Sequence, residues 1–177
     1  MQIVFTATPP ADVRLHARVV NQGAELAGLD QALVEGAAAS RFTGRTGQVF
    51  DGFVGGAAGL RWIALAGAGE PGAAERRLNC ERAGAALTAK FLVSGEAAMV
   101  LDLGQAGLSG EDAAAVLLGL RLRGWRHDAY RTRLSADKRP TLSKVHVTNA
   151  PAGTEAAWER EAALAKGVES TRRLVTE

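Results

Sequence analysis

The stretch from Ser109 to Tyr130, SGEDAAAVLLGLRLRGWRHDAY, constrains this chain more than any other. Ser109 followed three residues later by Asp112 is a capping box with Asp in place of the usual Glu, and acidic side chains suit the positive end of a helix. A helix is predicted to start there. From Ala113 to Leu120 every residue is apolar or Gly, so no face of the segment asks for water. Such a helix belongs between layers of structure. Ala113, Val116, Leu117 and Leu120 recur at the i, i+3, i+4, i+7 spacing, and Gly119 leaves room for another backbone to approach. The composition then flips: Arg121, Arg123 and Arg126 complement the negative end of the helix, and Trp125 and Tyr130 bracket His127 and Asp128.

The remaining text supplies layers to enclose that helix. Gln2 to Ala7 is β-rich and ends at Pro9-Pro10, which predicts a first strand. Val13, Leu15, Ala17 and Val19 alternate with Arg14, His16 and Arg18, the signature of a strand with one wetted face, and His16 falls on the wetted side. Leu29 to Ser40 reads as a short helix with Asp30 as N-cap, and Arg41 to Gly47 as a loop. Gln48 to Val54 and Leu60 to Ala66 read as two strands joined by a glycine-rich turn, with Trp62, Ile63 and Leu65 directed to the core. A helix from about Ala73 to Leu92, a buried strand over Ala97 to Leu103, a strand over Thr141 to Thr148 and a long helix over Thr154 to Val175 complete the order. Its 177 residues allow one domain with a sizeable core more readily than two. The expected architecture is α/β: a mixed sheet flanked by helices on both faces, ending in a long helix.

Chemistry is sparse along this order. Gly67-Ala68-Gly69-Glu70-Pro71-Gly72 matches G-x-G-x-x-G between a strand and a helix, the spacing of a dinucleotide fingerprint. Against that reading, Pro71 removes an N–H from the turn, Glu70 places a negative charge where a pyrophosphate would sit, and Asp102 comes about thirty residues later rather than about twenty. A plain strand-to-helix turn is the stronger reading. His16, His127 and His146 are isolated from one another and from carboxylate clusters, which predicts no metal site. Cys80 lies in a predicted helix without a His nearby and reads as a structural thiol. There is no His-Glu-x-x-His, no acidic cluster suited to a bridged metal pair and no Ser in a glycine elbow.

Twenty-one basic residues against nineteen acidic ones leave a formal charge of +2, a weak reason to expect nucleic acid or an anionic membrane. The N-terminus lacks a basic n-region with a long apolar run, and no later run approaches the roughly 20 apolar residues that span a bilayer. A soluble, cytoplasmic protein is expected. Locally, eight Lys/Arg and two acids fall between Arg121 and Lys144 with Trp125 and Tyr130 interleaved. Arg121, Arg123, Arg126, Arg131 and Arg133 are therefore candidates for a basic patch that could meet nucleic acid, against the plainer reading of a solvated helix end and loop.

Three segments, LLGLRLRGWRHDAYRTR, TLSKVHV and AWEREAALAKGVESTRRLVTE, together resemble the N-terminal domain of the cytosolic leucyl aminopeptidase family, metal-dependent aminopeptidases of the M17 type. In that family a helix ends in an apolar-Arg stretch followed by an aromatic residue, a basic or aromatic residue, Asp and Tyr. Here these are Leu122, Arg123, Trp125, His127, Asp128 and Tyr130. Ala64 to Gly69 is similar to the family's strand and glycine turn, and Arg41-Phe42-Thr43-Gly44 to its preceding loop. Gly167-Val168 and the run Arg172 to Glu177 match the family's linker helix, except that Arg173 stands for Asp and Thr176 for Asn.

The resemblance implies a macro-domain-like α/β domain over residues 1–150 and a linker helix over 151–177 leading to a C-terminal catalytic domain. That domain would hold two divalent metals, Zn or Mn, and the parent would be a homohexamer. None of the family's catalytic motifs occurs between Met1 and Glu177, so no catalytic, cofactor or metal residue is expected in this chain. Trp158, Val168 and Leu174 on the last helix are candidates for contacting the catalytic domain, although Trp158 is as well suited to packing on its own sheet. The last helix reaches Glu177 without a cap or stop signal, so a longer parent chain is expected. The implied role is assembly and substrate access; the alternative is a free-standing binding module for nucleic acid or an ADP-ribose-like nucleotide.

Overall fold

The structure, a computed structural model, describes residues 1–56, 59–126 and 135–176. Six strands and four α-helices follow in the order β1 (Gln2–Phe5), β2 (Leu15–Val20), α1 (Gln31–Ala39), β3 (Val49–Gly56), β4 (Gly59–Gly67), α2 (Arg76–Phe91), β5 (Ala98–Asp102), α3 (Gly110–Gly124), β6 (Lys144–Thr148) and α4 (Thr154–Thr176). The strands form one sheet in the spatial order β1-β6-β5-β2-β4-β3. All neighbours are parallel except β3 and β4, which pair antiparallel as an edge hairpin.

The register turns the period-two alternation into two chemically different faces. Ile3, Val145, Met99, Leu15 and Trp62 lie side by side across five strands, and Phe5, Val147, Leu101, Ala17 and Ala64 form the next row. These rows share one core with α2, α3 and α4. At its edge Trp62 stacks on Phe53, with ring centroids 4.9 Å apart, and meets Phe91 of α2 edge-on at 5.0 Å. On the other face the rows read Val4, His146, Val100, His16, Ile63 and then Thr148, Asp102, Arg18, Leu65. There α1 packs on β3, with Leu33 over Gly52 and Phe50 under Gly36. The sheet thus has helices on both faces, three on one and one short helix on the other.

α3 is the buried centre that its sequence predicts. Ser109 Oγ accepts from the Asp112 N–H at 3.1 Å and the Asp112 carboxylate accepts from the Ser109 N–H, so the capping box is complete. Every residue from Ala113 to Leu120 is buried. Asp30 caps α1 through the Ala32 N–H. α2 begins at Arg76 rather than near Ala73, because residues 73 to 76 are held in successive turns by Ala73 N–H to Glu70 C=O and Arg76 N–H to Ala73 C=O bonds.

Candidate functional site

α4 is held along α3 and α2 by charged side chains. Arg121 at the end of α3 donates from Nε and a terminal nitrogen to both Glu169 oxygens, each at 2.8 Å. This bidentate geometry fixes direction as well as distance. The side chains keep 17% and 24% of their surface, so water screens the pair only in part. Glu169 is held below the usual carboxylate range chiefly by the hydrogen bond from Arg121, against an opposing cost of burial. One turn on, Arg172 donates to the Leu122 carbonyl at 3.0 Å and lies 5.7 Å from the Trp125 ring centroid, a cation–π arrangement. Nearer the start of α4, Arg77 of α2 bonds Glu161 at 2.5 Å and Arg160 pairs with Glu111.

These links place the candidate residues of α4 differently. Trp158 is buried within the domain's own core together with Ala157, Val168 is half-buried, and Leu174 is exposed. Leu174 and Val175 keep 76% and 81% of their surface at the end of a helix whose middle is clamped. A 23-residue helix extends about 35 Å, so this apolar end is a defined feature of the surface.

The basic-patch candidates are dispersed in their partnerships. Arg121 is committed to Glu169, and Arg126 donates to the Lys138 carbonyl at 3.3 Å. Arg123 is exposed beside a cleft of about 310 Å³ lined also by Glu81, Leu122, Trp125 and Arg172. Arg131 and Arg133 lie outside the described residues, as do His127, Asp128 and Tyr130.

The glycine turn is packed by backbone. The N–H groups of Gly67, Ala68 and Gly69 donate to the carbonyls of Gln48, Val20 and Gly44 at 2.8, 2.9 and 3.0 Å. A Cβ on Gly67 would lie 2.1 Å from the Arg45 carbonyl oxygen, so glycine is needed there for the close approach of the preceding loop. Arg76 closes the turn by donating to the Ala68 carbonyl and to Asn21 Oδ1. The amides of Gly67, Ala68 and Gly69 are thus occupied and not available to a phosphate.

Among the described residues no group of three or more His, Cys, Asp or Glu side chains is placed to hold a metal ion. His146 and His16 flank Val100 in one cross-sheet row, two strand spacings or about 9.6 Å apart at the backbone. His16 is half-buried rather than fully wetted: its Nε2 donates to the Val13 carbonyl at 3.0 Å. Cys80 is fully buried and burial pushes its thiol up to about 11, far from a nucleophile's range. No helix among the described residues is long and apolar enough to cross a membrane.

Comparison with known proteins agrees with this geometry. The family model for the cytosol aminopeptidase family, N-terminal domain, matches residues 15–134. A probable cytosol aminopeptidase of Caulobacter vibrioides is 35% identical over 147 residues, covering 82% of this chain and 29% of its own length. Its counterpart in Brucella melitensis is 32% identical over 141 residues, 78% of this chain and 29% of that one. The chain therefore spans about 29% of the length of these relatives. Among solved structures, a tomato leucine aminopeptidase mutant superimposes with a TM-score of 0.72 at 18% identity, over 100% of this chain and 38% of that one. The bottromycin maturation enzyme BotP in complex with Mn superimposes with a TM-score of 0.66 at 24% identity, over 89% and 30%. At these identities the structural matches establish a shared fold.

Proposed function

This chain belongs to the cytosol aminopeptidase family as its N-terminal domain, and from that premise we propose that it is the non-catalytic assembly and substrate-access module of a cytoplasmic, metal-dependent aminopeptidase. The observation that carries this reading is the pairing of a clamped helix with an apolar end: Arg121 to Glu169 and Arg172 to the Leu122 carbonyl fix α4, while Leu174 and Val175 remain exposed beyond them. Exposed apolar side chains at a fixed position are what a neighbouring domain would bury. In this reading Leu174 and Val168 meet the catalytic domain, residues 151–177 act as the linker helix, and Trp158 anchors that helix to the sheet.

The two divalent metals, Zn or Mn, and the peptide chemistry they supply belong in this proposal to the C-terminal catalytic domain. The described residues of this chain do not offer a donor set for them. The homohexameric parent is part of the same reading. The alternative, a free-standing binding module for nucleic acid or an ADP-ribose-like nucleotide, has less support: Arg121 and Arg126 are engaged within the domain, and the Gly67, Ala68 and Gly69 amides of the glycine turn are occupied.

The test is to read the source locus past codon 177 and measure the intact mass of the endogenous protein. A frame that continues into a metal-binding domain, with Leu174→Asp in that protein lowering both its oligomeric fraction and its release of N-terminal leucine, supports the proposal. A stop codon with a matching small mass overturns it.

A further inference from the structure

The face of the sheet that α1 leaves uncovered carries a cleft of about 320 Å³ over β2, β4, β5 and β6. Its volume is within the range of small-molecule sites. The floor is apolar, from Ile63 and Val100, which flank His16 in one cross-sheet row. Ala7, Pro9 and Leu29 form apolar walls, and charged groups converge above the floor from separate strands.

Those charges do not cancel. Asp102, the acid of the cleft, is already shared among Arg18 at 3.8 Å, Asn149 Nδ2 at 3.1 Å and the Gly104 N–H at 2.9 Å. Arg18 also donates to the Ala27 carbonyl at 3.3 Å. Arg61, exposed at the rim, has no hydrogen bond or ion pair among the described residues, and its charge and that of Arg18 both act on His16. Burial is the larger cause holding the His16 imidazole below its ordinary range, and the two guanidinium groups add to it. A cleft with an apolar floor, one unpartnered guanidinium and a second held by a long ion pair has the features of a receptor for an anion with an apolar body.

We propose that this cleft binds a small organic oxyanion, with its charged group between Arg61 and Arg18 and its apolar part over Ile63 and Val100. The site is independent of whether a catalytic domain follows α4. Carboxylates and phosphate esters share the chemistry, and they are distinguishable with two ligands that carry apolar bodies, N-acetyl-leucine and phenyl phosphate, beside inorganic phosphate as a bare anion.

The experiment is calorimetric titration of each ligand into the 177-residue chain at pH 7, up to about 10 mM, above the millimolar range where a weak site still saturates. His16 ring resonances are followed in parallel. Binding of N-acetyl-leucine alone identifies a carboxylate ligand, and binding of phenyl phosphate alone a phosphate ester; either supports the site. Arg61→Ala is expected to weaken that binding by about tenfold, the loss of one charge-assisted contact, without lowering the melting temperature. The bound anion is also expected to raise the pH at which His16 titrates, because it opposes the two cations. Three results overturn the proposal: no binding by any ligand, affinity unchanged by Arg61→Ala, or inorganic phosphate binding as tightly as phenyl phosphate, which would remove the apolar floor from recognition.

Discussion

Gly84 of α2 and Gly119 of α3 face each other where the two helices cross: a Cβ on Gly84 would lie 1.9 Å from the Val116 carbonyl oxygen, and one on Gly119 1.9 Å from that of Glu81. The obstruction in both cases is backbone, which cannot swing aside as a side chain could. In an isolated helix Gly→Ala stabilises by about 1 kcal/mol, whereas forced overpacking costs about 1–3 kcal/mol. Overpacking wins here. With backbone as the obstruction the cost falls at the upper end of that range, so Gly84→Ala and Gly119→Ala should each lower the free energy of unfolding, measured in urea, by about 2 kcal/mol once the gain in helix propensity is subtracted. Gly167→Ala in α4, where a Cβ meets nothing within 4 Å, should raise it by about 0.5–1 kcal/mol. A neutral result at Gly119 would mean that the helices are not this close.

The Arg121–Glu169 pair makes stability depend on pH in the acid range. Arg121, helped by the chain's amino terminus and Arg172, keeps the Glu169 carboxyl below its unfolded value. Between the two values the unfolded chain binds more protons, so this contribution is complete above about pH 5 and is lost as pH falls through the lowered native value. Arg121→Ala should cost about 1–2 kcal/mol at pH 7, between an exposed and a buried pair, and should flatten the stability profile between pH 5 and 3. Equal slopes in the two proteins would remove the pair from that role.

His16 acts in a higher window and with a different cause. Burial lowers its native value, so below about pH 6.5 the unfolded chain takes up a proton that the folded one resists. Stability from this group is therefore intact above pH 6.5 and declines as pH falls toward the native value. Melting temperatures at pH 8 and pH 5.5 should converge in His16→Gln relative to the parent sequence. If the gap between the two pH values is the same in both proteins, His16 is solvated.

Cys80 should report global opening. With its thiol pushed up to about 11 and no exposed surface, it should resist a disulfide reagent at pH 8 in buffer and react fully in denaturant. Labelling in native buffer at a rate set by the reagent, rather than by unfolding, would contradict the packing of α2 on the core.

Local features of this fold are legible in the chain because each rests on contiguous residues. Ser109 and Asp112 announce the start of α3, the unbroken apolar run to Leu120 announces its burial, and Asp30 announces α1. Alternation from Leu15 to Val19 separates the two faces of β2. What sequence does not carry is who neighbours whom. That Asp102 stands beside both Arg18 and Thr148 follows from the strand order, which seats β5 between β2 and β6, and no spacing encodes it. The cleft on the uncovered face escapes sequence reasoning for this reason: its residues come from four strands and from the loops beside them, far apart in the chain. Trp158 was equally suited to the core or to an interface, and only the packing of α4 on α3 puts it in the core. The Gly67 turn shows the reverse case, where a ligand-like motif is explained by long-range hydrogen bonds to Gln48, Val20 and Gly44.

The edge position of β1 sets an order of events during synthesis. Its sheet partner is β6, so Gln2 finds Lys144 and Phe5 finds Val147 across nearly the whole chain. Closing so long a loop is entropically costly and tends to come late in folding. β1 leaves the ribosome well before its partner and is therefore among the last of these strands to be seated, and until β6 emerges Ile3 and Phe5 lack their neighbours in the sheet. An N-terminal tag or partner that captures residues 2–5 would compete with completion of the sheet, whereas the hairpin of β3 and β4 can form from neighbouring residues as soon as both strands are made.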